Sequence, residues 1–444
     1  MKNIFVKIFN YIGKVDISIL FLLLFTFCLP FFKKLNIYSD FSFLDGRYID
    51  YLTYSVYVFD FFLLLIFIIW VIEIIFKKEE PIICNWKITL SYLGIIVFSL
   101  TSIFYSTDKL ISLYYIFILV ILYGLFLFII NRLKNKNNLF IFFNTFVLAM
   151  FLQSIIAIIQ FIKNGSIGLS KIGEQILSSK IDGVAKIMFG AAKHIRPYGT
   201  FSHPNILALF LVVAGIIALH LLFNYKDRIY KIFIFIFLVF ISIALLLTFS
   251  RVLWLLTFIT WGIMFFKQIR FNTKKFKKLL PYFSLIVVLV AIIAAYIFPA
   301  ILWRINPFDQ TFWQSFNDRM IIFGKAWIMI KSHFLGIGIG NFVIEEAYLL
   351  TGYPLWMAEP AHNTYFLVLA EIGWFGLLSF LSFIYLLGRN IKKVPLYLKC
   401  IFFVVVIYMF FDHCFWDIRQ SQILAMIFFA LVYIHGNIVD KEAR

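Results

Sequence analysis

Charged residues are scarce in this sequence. They make up 14% of its 444 residues, whereas hydrophobic residues make up 63% and aromatic residues 20%. A soluble domain of this length could not remove so much apolar surface from water, but a lipid bilayer can accommodate it. The composition therefore excludes a soluble globular enzyme and predicts an all-α polytopic membrane protein.

Cysteines are few, and a cleavage site is missing. The four cysteines, Cys28, Cys84, Cys400 and Cys414, form no CxxC pair, so neither a zinc site nor a disulfide framework is indicated. The first hydrophobic run has no small-residue cleavage site after it, and further hydrophobic runs follow. We therefore predict a retained helix rather than a removed signal peptide.

Long hydrophobic runs, in contrast, are abundant. About twelve of them predict transmembrane spans, which we number in chain order. Several runs are shorter than the ~20 residues that cross a bilayer perpendicularly. The predicted spans are residues 16–32, 52–76, 88–104, 110–130, 139–162, 204–223, 229–249, 251–266, 279–298, 363–388, 397–415 and 419–435.

The spans divide the chain into five predicted segments: residues 1–162 with spans 1 to 5, a basic loop at 163–203, residues 204–298 with spans 6 to 9, a large loop at 299–362, and residues 363–444 with spans 10 to 12 and a tail.

The large loop has predicted structure of its own. Residues 317–334 predict an amphipathic helix along the membrane surface, capped by Asn317 or Asp318. The following GIGIGN (336–341) comes after a helix rather than a strand, so it predicts tight turns and not a nucleotide-binding loop.

The distribution of basic residues predicts the orientation. With the N-terminus in the cytoplasm, 24 of the 40 Lys and Arg residues fall in cytoplasmic segments, as expected for a membrane protein. Both termini are then cytoplasmic. The loop at 163–203 is basic although it lies outside, which fits a wrong topology, a loop that is simply basic, or an anionic ligand on the outer face.

Polar residues stand at the starts of the even-numbered spans, which all begin on the outer face in this orientation. In span 6, Pro204 suits the first helical position, and Ser202 or His203 is the predicted cap. Helix N-termini carry unpaired N–H groups and a partial positive charge that hold phosphate. Four such starts share the outer face: SHPN (202–205), Ser250 with Arg251, HNT (362–364), and the region of Asp417 and Arg419.

Two arginines are the first candidates for a binding role. Arg251 separates spans 7 and 8 by barely a turn, where a charge is costly and tends to mark function. Arg196 precedes span 6. Both guanidiniums can bind a diphosphate through paired hydrogen bonds, which lysine does less well. The alternatives are that Arg251 only anchors the membrane interface by snorkelling and that Arg196 contacts lipid headgroups.

Two histidines stand at the same boundary. His203 and His362 fit a helix cap as well as a catalytic role. Glu371 follows His362 on roughly the opposite side of the same helix and ~13 Å deeper. We therefore expect Glu371 to be a buried structural partner. Asp412 and His413 close span 11, where we expect a polar network.

Several motifs together resemble the O-antigen ligase and O-antigen polymerase superfamily. They cover about residues 194 to 380, and the order of the motifs is more specific than any one of them. The motifs are RPYGTFSHPN (196–205), TFSR (248–251), Asp318–Arg319 with Trp327, LGIGIGNF (335–342) and HNTYFLVLAEIGWFGLL (362–378).

The resemblance implies a metal-independent, inverting glycosyltransferase of the GT-C type, with no cofactor. Its donor would be a glycan on undecaprenyl diphosphate, used on the outer face of the cytoplasmic membrane. His362 matches the histidine that acts as base on the acceptor hydroxyl, and Arg196 and Arg251 match the arginines that bind the donor diphosphate. Further candidates for substrate binding are His203, Asn205, Arg319, Asn363 and Arg419.

The acceptor stays open at this point. A ligase transfers the glycan to lipid A-core or another terminal acceptor, whereas a polymerase transfers it to the next lipid-linked repeat. The predicted outer loops lack a DxD pair, which argues against a metal-dependent lipid-phosphate-sugar transferase.

Two hypotheses come from other classes: a transporter or flippase for lipid-linked oligosaccharides, and a non-catalytic membrane subunit. The two halves of the chain look unlike each other, and the unusual residues crowd one interface rather than the midplane, both of which are atypical of secondary transporters. We expect no nucleic-acid partner.

Overall fold

The computed structural model describes residues 16–189, 192–271, 273–306, 310–349 and 358–438. The predicted cytoplasmic ends, residues 1–15 and 439–444, lie outside the described residues.

Helices account for most of the described chain. Ten of them are long and apolar enough to cross a membrane, and the two shorter apolar helices α1 and α14 occupy the places of predicted spans 1 and 11. This confirms the prediction of an all-α polytopic membrane protein. The division into five segments stays a prediction. The helices are α1 Ile17–Cys28, α2 Val58–Lys77, α3 Trp86–Ser102, α4 Lys109–Arg132, α5 Lys136–Lys163, α6 Pro204–Asn224, α7 Arg228–Leu247, α8 Arg251–Phe271, α9 Thr273–Tyr296, α10 Phe298–Ile305, α11 Gln310–Ser332, α12 Phe342–Leu349, α13 Thr364–Gly388, α14 Leu396–Tyr408, α15 Cys414–Asp417 and α16 Arg419–Tyr433.

Three predicted spans are longer than the helices that form. Helix α1 ends at Cys28, just before Pro30, which cannot donate a helical hydrogen bond. Helix α14 ends at Tyr408 and a turn follows. Predicted span 2 starts at residue 52, but the aromatic and β-branched sequence YSVY forms a strand there before α2 begins at Val58.

Six short strands form three antiparallel pairs in two loops of the described chain. In the first loop, β1 (Lys34–Ile37) pairs with β4 (Tyr54–Tyr57), and β2 (Phe43–Leu44) pairs with β3 (Arg47–Tyr48). The predicted basic loop contains β5 (Lys186–Phe189) and β6 (Ala192–Ile195). The first loop is therefore folded against the helix ends and is not an open connection.

Helix α6 lies in the centre of the bundle. In its apolar 18-residue stretch, 94% of the residues are buried, compared with 83% in the corresponding stretch of α16 and 22% in that of α8. A helix that is apolar on every side is typical of a position surrounded by other helices. Helices α5, α7 and α14 pack around α6, so the start of α6, which carries several candidate residues, is enclosed by neighbouring helix ends.

The two ends of the bundle differ in their polar residues. At one end, Arg132 forms ion pairs with Glu73 at 2.8 Å and Glu79 at 2.9 Å, and the backbone N–H of Asn85 donates to the Tyr433 hydroxyl. We call this the far end. Helices α6, α8, α13 and α16 all begin at the other end, which we call the site end.

The large loop differs from its prediction in one respect. Helix α11 has already formed at Gln310, so Asn317 and Asp318 lie inside it and do not cap it. The apolar spacing of Trp313, Phe316 and Met320 continues the helical pattern toward the N-terminus, and this outweighs the local capping signal.

The glycine-rich segment 336–341 forms turns, as predicted. Gly336, Gly338 and Gly340 all have positive φ, and the Asn341 side chain accepts a hydrogen bond from the backbone N–H of Asp108 at 2.7 Å. The backbone of Gly338 donates to Glu371. The segment therefore ties the large loop to the start of α4 and to α13.

Candidate active site

A sharp turn between α7 and α8 anchors two arginines. Phe249 in this turn has φ 51° and is fully buried, a left-handed conformation that costs a residue other than glycine roughly 1–2 kcal/mol. The turn exposes carbonyl oxygens beyond the end of α7. The Nε–H of Arg196 donates to the Thr248 carbonyl at 2.7 Å, and the Nε–H of Arg304 donates to the Phe249 carbonyl at 3.2 Å. Cations are favoured at such a helix C-terminus.

Arg196 is buried and held in a fixed orientation. It is 4% exposed, and its Nη2 donates to the side-chain oxygen of Asn205 in the first turn of α6 at 2.7 Å. Two of the five N–H donors of the guanidinium are thus used by described residues, and three remain for a ligand. Asn205, a predicted substrate-binding residue, positions Arg196.

Four arginines form a cluster at the site end: Arg196, Arg251, Arg304 and Arg319. The Nη1 of Arg251 donates to the Arg304 carbonyl at 3.4 Å. Burial and then the charges of the other three arginines lower the pKa of Arg304 to about 9. Burial also lowers the pKa of Arg196 to about 10, with contributions from Arg251 and Arg319. The four positive charges are therefore close enough to repel one another.

Part of the positive charge of this arginine cluster is not balanced within the described part of the chain. No carboxylate there forms an ion pair with Arg196 or Arg304, whose hydrogen bonds go to carbonyl and amide oxygens. Burying like charges without counterions is costly. The arrangement suits an anionic ligand that offsets the repulsion.

A pair of histidines lies beside the cluster. The rings of His362 and His413 stack with centroids 5.3 Å apart and an angle of 8° between their planes. The Nε2 of His362 is 3.9 Å from a carboxylate oxygen of Glu359. Its Nδ1 is buried and has no hydrogen-bond partner among the described residues. One ring nitrogen of His362 is therefore unused by the described residues.

The two histidines of this pair differ in charge. Burial opposes the charged form of His413, but the Asp417 carboxylate, 2.7 Å from Nδ1, raises the pKa of His413 to about 9. Burial and the charges of His413 and Arg319 lower the pKa of His362 to about 3. At neutral pH, His413 is charged and His362 is neutral.

His203 links the arginine cluster to the histidine pair. It caps α6, where its Nδ1 accepts the backbone N–H of Asn205 at 3.1 Å, so of the two predicted caps, Ser202 and His203, the structure selects His203. Burial and the charge of Arg196 lower the pKa of His203 to about 3, with smaller effects of Asp412 and His362. His203 therefore lies near both groups.

Two predicted binding residues make other contacts. Asn363 caps α13 by accepting the backbone N–H of Phe366 at 3.1 Å, and its amide donates to the Phe410 carbonyl. Arg419 forms an ion pair with Asp60 at 3.0 Å and donates to the Tyr114 hydroxyl at 3.1 Å. Their substrate-binding role stays a prediction. Arg196, Asn205, His203, Arg251, Arg319 and His362 are brought together.

Glu371 has the structural role expected of it. It is 4% exposed and accepts hydrogen bonds from the Trp416 indole at 2.6 Å and from the backbone N–H of Phe342 at 3.3 Å. The Trp416 contact fixes α15, the short helix that carries Asp417. Glu371 thus supports the histidine pair indirectly.

Four members of this site were not selected from the sequence as functional residues: Arg304, Glu359, His413 and Asp417. Arg304 follows an apolar stretch in a predicted loop, and the only signal was a charge set among bulky apolar residues. Glu359 lies in AEPA and carried no signal. His413 and Asp417 have the four-residue spacing that places side chains on one helical face, which was the signal that could have paired them.

Residues 235–381 match the family described as O-antigen ligase. The match runs from within α7 to within α13 and contains Arg251, Arg304, Arg319 and His362. Arg196 and His413 lie outside it. The resemblance of this chain to the O-antigen ligase and polymerase superfamily is thereby confirmed. No curated protein matches the chain.

Proposed function

We propose that this chain is a membrane glycosyltransferase of surface-polysaccharide assembly, which moves a glycan from undecaprenyl diphosphate to the hydroxyl of an acceptor sugar. The premise is the match of residues 235–381 to the O-antigen ligase family. The observation that carries the proposal is the arginine cluster placed next to a neutral histidine, one ring nitrogen of which has no partner among the described residues.

The arginine cluster is the proposed site of the donor diphosphate. Arg196 and Arg304 are anchored through Nε, which leaves nitrogen atoms of each guanidinium for paired hydrogen bonds to phosphate oxygens. The N-terminus of α8 begins at Arg251 and adds a partial positive charge. Fixed cations stabilise the charge that grows on the leaving diphosphate as its bond to the sugar breaks.

His362 is the proposed base. It accepts the proton of the acceptor hydroxyl while the hydroxyl oxygen bonds to the anomeric carbon and the bond to the diphosphate oxygen breaks. Attack from the face opposite the leaving group inverts the anomeric configuration. A bound diphosphate offsets the charge of Arg319 and so raises the pKa of His362 toward the range in which it accepts a proton effectively. Glu359 then faces the imidazolium.

The site end is proposed to face the outside of the cytoplasmic membrane. The excess of Lys and Arg in the predicted cytoplasmic segments supports this orientation. Arg251, Arg304 and His362 lie at or beside helix ends rather than at mid-helix, which favours a transferase over a transporter or flippase with a midplane site. The donor would then be used on the outer face, with both termini in the cytoplasm.

Ligase and polymerase share this chemistry and differ only in acceptor, so the test offers both. Purified protein is incubated with an undecaprenyl-diphosphate glycan and either lipid A-core or a second lipid-linked repeat, and the products are sized. A single addition to lipid A-core identifies a ligase, and a ladder of repeats identifies a polymerase. No product with either acceptor, from protein that binds undecaprenyl diphosphate, contradicts the proposed transfer.

A further inference from the structure

A second cleft opens at the site end, next to His413, whose ring contacts the cleft residue Tyr51. It lies between the first loop and the starts of α4 and α16. Asp417, which binds His413, forms part of its wall. We call it the tyrosine cleft because four of its lining residues are Tyr51, Tyr57, Tyr114 and Tyr115.

The charges around the tyrosine cleft are paired, in contrast to those of the arginine cluster. Lys34 forms an ion pair with Asp50, Arg419 with Asp60, and His413 with Asp417. Paired charges leave little net attraction for a diphosphate but still offer hydrogen bonds at their edges. The tyrosine cleft therefore suits a neutral polar ligand.

The aromatic groups of the cleft suit a sugar. Tyr51 and Tyr114 are only partly buried, and the rings of Tyr54 and Tyr114 pack at nearly a right angle with centroids 5.4 Å apart. Tyrosine combines an apolar face, on which the C–H groups of a pyranose ring can pack, with a hydroxyl for its oxygens. The interior of the cleft is about 30 Å³, room for one water, so a sugar ring would sit at the mouth.

Tyr51 connects this mouth to the histidine pair. Its ring contacts His413 edge-on with centroids 5.7 Å apart, and its hydroxyl makes no hydrogen bond to any described residue. Burial and the charges of Asp417 and Glu359 raise the pKa of Tyr51 well above its ordinary value. The hydroxyl therefore stays protonated and can donate to a sugar oxygen.

We infer that the tyrosine cleft binds the acceptor, as a neutral sugar held at its mouth by Tyr51, next to His362. The inference rests on the proposed function and deepens it, because it assigns the two substrates to two different surfaces beside the histidine pair. A sugar on Tyr51 lies beside His413 and Glu359, the two groups that contact His362. One of its hydroxyls can then reach the base.

The test compares Tyr51→Phe, which removes one oxygen, with Tyr51→Ala, which removes the ring. Tyr38→Phe is the matched control, because Tyr38 lies in the same loop, is 59% exposed and does not line the cleft. We expect Tyr51→Phe to raise the acceptor KM about fivefold to tenfold and Tyr51→Ala to raise it further, with the donor KM within twofold of the native value. An unchanged acceptor KM, or a change in the donor KM alone, overturns the inference.

A binding measurement separates this inference from the proposed function. The probes are phosphate-free oligosaccharides released from the host's lipid A-core and from its lipid-linked repeat, with undecaprenyl diphosphate as the donor probe. We expect saturation-transfer NMR to detect one oligosaccharide on the His362→Ala protein and to lose it when Tyr51→Ala is added, while undecaprenyl diphosphate still binds. Oligosaccharide binding that survives Tyr51→Ala overturns the inference. A native protein that binds both probes but transfers nothing contradicts only the proposed function.

Discussion

The arginine cluster and the tyrosine cleft both lie beside the histidine pair, but they differ in whether their charges are balanced by partners. In the cluster, Arg196 and Arg304 are anchored by neutral oxygens, and the positive charges repel one another. In the cleft, each of three cationic groups has a carboxylate partner. The first arrangement is stabilised by an anion and the second is already balanced. A chain that joins an anionic donor to a neutral acceptor needs both kinds of surface, with a base between them.

We expect the greatest loss of activity from a change at His362, in the histidine pair that lies beside both the arginine cluster and the tyrosine cleft. We expect His362→Ala to lower transfer by about a thousandfold, in line with the usual contribution of a general base, and to leave protein level and membrane insertion intact. The measurement is transfer in vitro and surface polysaccharide in cells that lack the native enzyme. Unchanged product in those cells would refute the base assignment.

We expect the next largest effect from a change in the arginine cluster alone. Arg251→Lys replaces a planar fork by a point charge and should lower transfer about a hundredfold by weakening diphosphate stabilisation. Arg228→Lys, at the start of α7 and exposed, is the control with the same chemical change. A fully active Arg251→Lys protein would show that this guanidinium does not bind the diphosphate.

Arg304 belongs to the arginine cluster and was not selected from the sequence. We expect Arg304→Gln to weaken binding of undecaprenyl diphosphate about tenfold, since it removes one of the four clustered charges, and to leave the acceptor KM unchanged. Isothermal titration with undecaprenyl diphosphate measures the first and transfer kinetics the second. A change in the acceptor KM alone would contradict the assignment of Arg304 to the diphosphate site.

The smallest effect concerns the charge of His413. Since the pKa of His413 is raised to about 9 from an ordinary 6.5, the stabilising contact with Asp417 is fully present below about pH 6.5 and is lost as the pH rises through about 9. We expect transfer to decline on this alkaline side. Asp417→Asn removes the carboxylate and should move the decline to lower pH. A pH–rate profile with the same alkaline limb in both proteins would contradict this role.

Much of the fold could be predicted because its determinants are local. A run of about twenty apolar residues must form a helix in a bilayer, since no water is available to the backbone, and Pro204 after His203 identifies a helix start. The first loop could not be predicted in the same way. Its strands depend on pairing between Lys34 and Tyr57, which are distant in sequence, so predicted span 2 began too early.

The residues of the candidate site, too, could be predicted only where the signal in the sequence is local. Arg251 and His362 could be selected from sequence because a charge or a histidine at the start of an apolar run is uncommon and costly. Arg304, Glu359 and Tyr51 carry no such local signal. Arg304 and Tyr51 belong to the site through a carbonyl of Phe249 and the ring of His413, which are distant from them in the chain, whereas Glu359 lies three residues before His362.

Hydropathy and helix capping act within a few residues, so they were enough to identify a helical membrane protein with polar residues at the starts of its even-numbered spans. Which charges are paired could be read only from the folded chain. Arg419 pairs with Asp60 and His413 pairs with Asp417, whereas Arg196 donates hydrogen bonds to neutral oxygens. The physical reason is that Coulomb interactions depend on distance in space and on burial, and both are set when the helix ends come together.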